Sequence, residues 1–112
     1  MSLSANKKNV TPLAKAMKLL ARRDHSVNEL IYKLKPFYPS GEVNAVISRC
    51  LDENWLNDSR FAESYIRSRS GCGYGARRIA MELQQKGIAS DVIQQALKEV
   101  AVDWHALLFR LL

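Results

Sequence analysis

The chain has 112 residues, 47% hydrophobic and 25% charged, a balance that suits a folded globular protein and excludes wholesale disorder. That length allows one ordinary domain or two very small helical units and is too short for most multi-domain enzymes. Lysine and arginine total 17 against 11 acidic residues, giving a formal net charge of +6 and a pI near 9.6, so the expected partner is anionic: nucleic acid, an acidic protein surface or anionic lipid.

Residues 1–10 are polar, with Lys7 and Lys8 unopposed by any acid, and read as a flexible basic arm. No apolar run approaches the roughly 18 residues of a membrane span, and MSLSANKKNVTP lacks a signal-peptide core, so a cytoplasmic protein with no membrane partner is expected. Cys50 and Cys72 lack metal-ligand spacing and are expected to be thiols, the first in the core and the second in a loop.

Thr11 and Pro12 suit the cap and first position of a helix whose apolar face is Leu13, Ala16, Met17 and Leu20. Lys15, Lys18 and Arg22 fall on its other face. They are candidate partner contacts, although a solvated charged face is the simpler reading of such a pattern. Ser26 and Glu29 form a capping box that opens a second helix, with Val27, Leu30, Ile31 and Leu34 at i, i+3, i+4 and i+7. Pro36 and then Pro39-Ser40-Gly41 place a loop. Val43, Val46, Ile47, Cys50 and Leu51 give a third helix its apolar face, and Trp55 and Leu56 lead into a turn at Asn57-Asp58.

The cycle then restarts. Ala16, Leu19 and Leu20 correspond to Ala62, Tyr65 and Ile66; Val27, Leu30, Ile31 and Leu34 to Ala76, Ile79, Ala80 and Leu83; and Val46, Ile47, Cys50 and Leu51 to Val92, Ile93, Ala96 and Leu97. Gly87 is placed to end one helix in the left-handed region and Ser90 to cap the next. A further cycle opens at Asp103, where Trp104, Leu107, Leu108, Leu111 and Leu112 begin an apolar face. The expected fold is therefore all-α and elongated, made of tandem three-helix repeats. It comprises the arm (1–10), a first repeat (11–57), a second repeat (58–102) and the start of an incomplete third (103–112).

From Arg60 to Ile88 the basic residues Arg60, Arg67, Arg69, Arg77, Arg78 and Lys86 face only Glu63 and Glu82 as acids. The helical register turns Arg77 and Arg78 away from the apolar face, beside a turn where Gly71, Gly73 and Gly75 allow close backbone approach. Guanidinium forks suit carboxylates and phosphates, which makes Arg77 and Arg78, with Arg67, Arg69 and Lys86, the candidate partner-binding cluster. The alternative for Arg78 is an ion pair with Glu82 at i+4. Tyr74 either stacks on a partner or covers the adjoining helix, while Trp55, Phe61 and Tyr65 read as core. His25 reads as a turn residue, and His105 has no companion ligands. With no P-loop, dinucleotide fingerprint or H-E-x-x-H, no enzyme, cofactor or metal site is expected.

Ala21-Arg22-Arg23-Asp24-His25-Ser26 with Glu29-Leu30, then Asn57-Asp58-Ser59-Arg60-Phe61-Ala62, Gly73-Tyr74-Gly75 with Ile79, and Glu82-Leu83-Gln84-Gln85-Lys86-Gly87-Ile88 closely resemble the RecX regulatory proteins, in family order from residue 14 to 104. The resemblance implies tandem three-helix units in a bacterial regulator that lies along the groove of the RecA filament on single-stranded DNA. It further implies restraint of filament growth, ATP hydrolysis and strand exchange. Two departures stand out: the third unit is only begun, and Cys72 stands where relatives often carry a basic residue. A monomer is expected, with weak direct DNA contact compatible with this role. The competing reading from the residues is a direct DNA-binding helical module whose arginines meet phosphates.

Overall fold

The computed structural model describes residues 10–100, and all regular structure among them is helical. In chain order the elements are α1 (Pro12–Arg22), α2 (Val27–Leu34), α3 (Ser40–Asp52), α4 (Asp58–Gly71), α5 (Ala76–Gln85) and α6 (Ser90–Glu99). They divide into two compact units, with the break between Asn57 and Asp58. Residues 1–9 of the expected arm and the expected third cycle at 103–112 lie outside the described residues.

In the first unit the helix starts follow from local chemistry. Thr11 Oγ1 accepts the Ala14 N–H at 3.1 Å, satisfying one of the orphaned amides ahead of α1, and Pro12 occupies a position where its missing donor costs nothing. Ser26 Oγ accepts the Glu29 N–H at 3.1 Å while Glu29 Oε1 accepts the Ser26 N–H at 3.1 Å, so the expected capping box is present at α2. Ser26 is fully buried, and its replacement by alanine strands a donor out of reach of water. Ser26→Ala is expected to cost about 0.5–2 kcal/mol of stability, read from chemical denaturation followed by circular dichroism. A loss indistinguishable from zero would contradict this account of the cap.

The expected loop at Pro39-Ser40-Gly41 is shorter than anticipated. Pro39 is extended and acts as the cap, its carbonyl accepting the N–H groups of Glu42 and Val43 at 3.0 Å, so Ser40 and Gly41 are already helical. Helix α3 ends at Asp52, and beyond it Asn54, with a φ of 61°, lets the N–H groups of Trp55 and Leu56 fold back onto the Cys50 carbonyl at 2.9 and 3.1 Å. Asparagine tolerates that left-handed conformation better than most residues other than glycine. Leu56 is thereby driven into a core of Ala16, Leu30, Leu34, Val43, Val46, Ile47 and Cys50.

The second unit repeats the plan. Helix α4 contributes Phe61, Ala62 and Ile66, α5 contributes Ile79 and Leu83, and α6 contributes Ile93 and Ala96, with Ile88 and Val100 closing the core. Gly87 (φ 84°) ends α5 as expected, and the Ile88 N–H returns to the Leu83 carbonyl at 3.2 Å, as Leu56 returns to Cys50 in the first unit. The cap of α6 falls one residue earlier than expected: Ala89 is the extended residue, its carbonyl accepts the Ile93 N–H at 3.0 Å, and Ser90 is already helical. Several positions matched by the repeat share their burial, with Ala16 and Ala62, Leu30 and Ile79, and Leu34 and Leu83 all fully enclosed, whereas Leu20 is half-buried where Ile66 is buried and Val46 is buried where Val92 is half-buried. Cys50 is buried and Cys72 exposed, both as free thiols. Of Gly71, Gly73 and Gly75, only Gly73 takes a positive φ (97°); a Cβ at Gly71 or Gly75 would meet nothing within 4 Å.

Candidate functional site

Two helices and the loop between them build the basic cluster of the second unit. The last turn of α4 supplies Arg69, the loop supplies Tyr74, and the outer side of α5 supplies Arg77, Arg78 and Glu82, with Lys86 just past its end. Ile79 and Leu83 anchor α5 in the core, so its polar side is held in a fixed rotation.

Glu82 organises this surface. Its Oε1 accepts the Tyr65 hydroxyl at 2.7 Å and Arg69 Nε at 3.2 Å, and its Oε2 accepts Arg69 Nη2 at 3.3 Å and Arg78 Nε at 3.2 Å. The Tyr65 hydroxyl and the Arg69 fork, followed by Arg78, hold the Glu82 carboxyl at a pKa of about 2 against an ordinary value near 4.5. The same carboxylate raises the Arg69 pKa. Tyr74 meets two guanidinium groups, with the Arg69 guanidinium carbon 4.1 Å and that of Arg78 4.5 Å from its ring centroid. It also packs on the core of the unit. Lys86 Nζ stands 5.5 Å from the Tyr65 ring.

Because the folded-state pKa of Glu82 is depressed, its contribution is fully present above the unfolded value near 4.5 and is lost as pH falls towards about 2. The thermal stability of the second unit is expected to fall as pH drops across that window, and Glu82→Gln is expected to lower stability at neutral pH while flattening the acid dependence. Circular dichroism melts between pH 2 and 7 check this; an unchanged acid slope in the variant would contradict it.

The candidate residues fall into distinct environments. Arg69, with its side chain 28% exposed, is bound into the Glu82 network, whereas Arg78 is 57% exposed and shares the same carboxylate through the anticipated i,i+4 pair. Arg77 is exposed and has no side-chain partner among the described residues. Arg67 pairs with Glu63 one helical turn back at 3.7 Å. The structure therefore brings Arg69, Tyr74 and Arg78 together around Glu82, with Arg77 adjoining Arg78 on α5. Arg77, Arg78, Arg69 and Lys86 carry four positive charges against the one of Glu82, which leaves a surface suited to anions. In the first unit, Lys15 Nζ lies 4.1 Å from the Phe37 ring centroid, and Lys18 and Arg22 are exposed. Sequence reasoning missed Glu82 as the centre and Tyr65 as its hydroxyl donor. The visible signal was a glutamate one turn after an arginine pair.

Among the described residues no group of three His, Cys, Asp or Glu side chains is placed to hold a metal ion, and no helix is long and apolar enough to cross a membrane.

Comparison with known proteins agrees with the helical plan. Family models described as the first and second three-helix domains of RecX match residues 13–50 and 57–97. The regulatory protein RecX of Yersinia enterocolitica is 41% identical over 114 residues, covering 82% of this chain and 68% of that protein. Its counterpart in Pseudomonas putida is 47% identical over 99 residues, covering 85% and 64%. A crystal structure of regulatory protein RecX superposes with a TM-score of 0.70 at 25% identity, covering 80% of this chain and 47% of the other. The chain thus spans about two thirds of the length of these sequence relatives and about half of the solved one. Two successive three-helix domains, each matched by its own family model, together with this level of identity, place the chain in the RecX family of regulatory proteins.

Proposed function

We propose that the chain is a non-enzymatic cytoplasmic regulator that binds the RecA filament on single-stranded DNA and restrains its extension, ATP hydrolysis and strand exchange. The observation that carries this reading is the surface of α5, where, among the described residues, Arg77 is exposed without a side-chain partner and Arg78 shares the Glu82 carboxylate with Arg69. A guanidinium not yet committed to a partner can form paired hydrogen bonds with a protein carboxylate or a phosphate without first breaking an internal bond. The fixed Tyr74 and Arg69 hold that surface in place, so little side-chain order remains to be lost on binding. Family membership supports the choice of a regulator over a catalyst.

The test is steady-state ATP hydrolysis by RecA on single-stranded DNA with the chain added in increasing amount. A saturable decrease is expected. Unaltered hydrolysis, with the chain binding DNA equally well in the absence of RecA, would favour the direct DNA-binding reading instead.

A further inference from the structure

The first unit contains a cavity of about 380 Å³ lined by Leu19, Arg22, Arg23, His25 and Lys33. Among the described residues no carboxylate lines it. Arg22 is exposed and has no side-chain partner among the described residues, while Arg23 holds Glu29 in a two-pronged pair at 3.2 and 3.1 Å and donates to the Asp24 carbonyl at 2.9 Å. His25 is 2% exposed, and both ring nitrogens are engaged: Nδ1 lies 3.0 Å from the Arg23 carbonyl and Nε2 lies 3.0 Å from Lys33 Nζ. A carbonyl can only accept and an ammonium can only donate, so Nδ1 carries the proton and Nε2 accepts from Lys33. The imidazole is thus held neutral, with burial, and then the charges of Arg23 and Lys33, lowering its pKa. A neutral ring here positions the Lys33 ammonium at the wall of a cavity already flanked by two guanidinium groups.

We infer that this cavity is a binding site for a phosphoryl oxyanion, either free or as one phosphate of a nucleic-acid strand. Arg22, Arg23 and Lys33 supply three positive charges; Asp24 and Glu29 are the acids of the same turn and the next helix. Glu29 is paired with Arg23 and accepts the Ser26 amide, so those two charges offset one another and the positive charge facing an entering ligand is chiefly that of Arg22 and Lys33. Planar guanidinium donors and an ammonium on separate elements suit the tetrahedral oxygens of phosphate. This inference stands on the first unit alone and does not require RecA binding.

The test uses the full chain with isotopic labelling and follows the His25 ring resonances and the backbone amides during addition of inorganic phosphate, and separately of a short single-stranded oligothymidylate. Saturable movement of His25 with a raised pKa is expected, because an anion near the ring favours its protonated form. Response to both ligands would assign a site open to free phosphate, and response to the oligonucleotide alone a site for backbone phosphate. Arg22→Ala, at an exposed position that leaves the core intact, is expected to weaken the interaction by about three- to tenfold. Lys33→Met, checked for retained helical content, should weaken it further, and Lys33→Arg should restore part of it. The inference is overturned if neither ligand moves His25, or if Arg22→Ala leaves the affinity unchanged.

Discussion

Leu83→Ala is expected to destabilise the second unit by about 2–5 kcal/mol, the usual cost of removing a fully buried leucine and leaving a partly unfilled cavity. In a unit this small, with nine of its described residues in the core, that is a large share of the roughly 5–15 kcal/mol that holds a domain folded. Met81 lies on the same helix and is 52% exposed, so Met81→Ala is expected to change stability by less than about 0.5 kcal/mol. Native-state hydrogen exchange of the amides in α4, α5 and α6 separates the two, since protection should fall across all three helices in Leu83→Ala and stay near normal in Met81→Ala. Equal effects would mean that the inner face of α5 has been assigned wrongly.

The second large effect concerns function. Replacing Arg77 and Arg78 together with alanine is expected to raise the concentration needed for half-maximal inhibition of RecA ATP hydrolysis by at least about tenfold, as two charge-assisted contacts would be lost. The double variant should keep its helical content, because both side chains are exposed and neither enters the core. Arg69→Ala should behave differently. Arg69 grips Glu82 with two bonds and braces Tyr74, so its loss should show first as lower thermal stability. Undiminished inhibition by a folded Arg77→Ala, Arg78→Ala variant would remove the α5 surface from the proposed contact.

How much of this was legible in the sequence depended on the distance over which each interaction acts. The apolar registers of the six helices, the Ser26–Glu29 capping box and the glycine stop at Gly87 are local patterns that the structure contains, except that Met17 and Leu51, expected on the apolar faces of α1 and α3, are each 45% exposed because they fall at the edge of the buried stripe. The Arg78–Glu82 pair is equally local, an i,i+4 spacing that the sequence displays directly. The tie from Arg69 to Glu82 spans 13 residues and that from Tyr65 spans 17. Such bonds exist because α4 and α5 pack at a particular separation and rotation, which one helix's periodicity does not specify. Asn54 illustrates a different gap. The Asn57-Asp58 turn was visible, but the residue that turns left-handed lies three positions earlier, because asparagine can replace glycine there without an obvious compositional mark. At α6 the cap falls on Ala89 and not on Ser90, with no side-chain hydrogen bond to the helix start, so the residue type suited to capping did not mark the boundary there.

Co-sedimentation of the chain with preformed RecA filaments on single-stranded DNA, alongside the same DNA without RecA, at near-physiological salt, decides whether the filament is the partner. The chain is expected in the pellet with the filaments and largely in the supernatant with DNA alone, since isolated phosphate contacts weaken steeply with salt. Equal recovery with bare DNA, or none with filaments, would contradict the account.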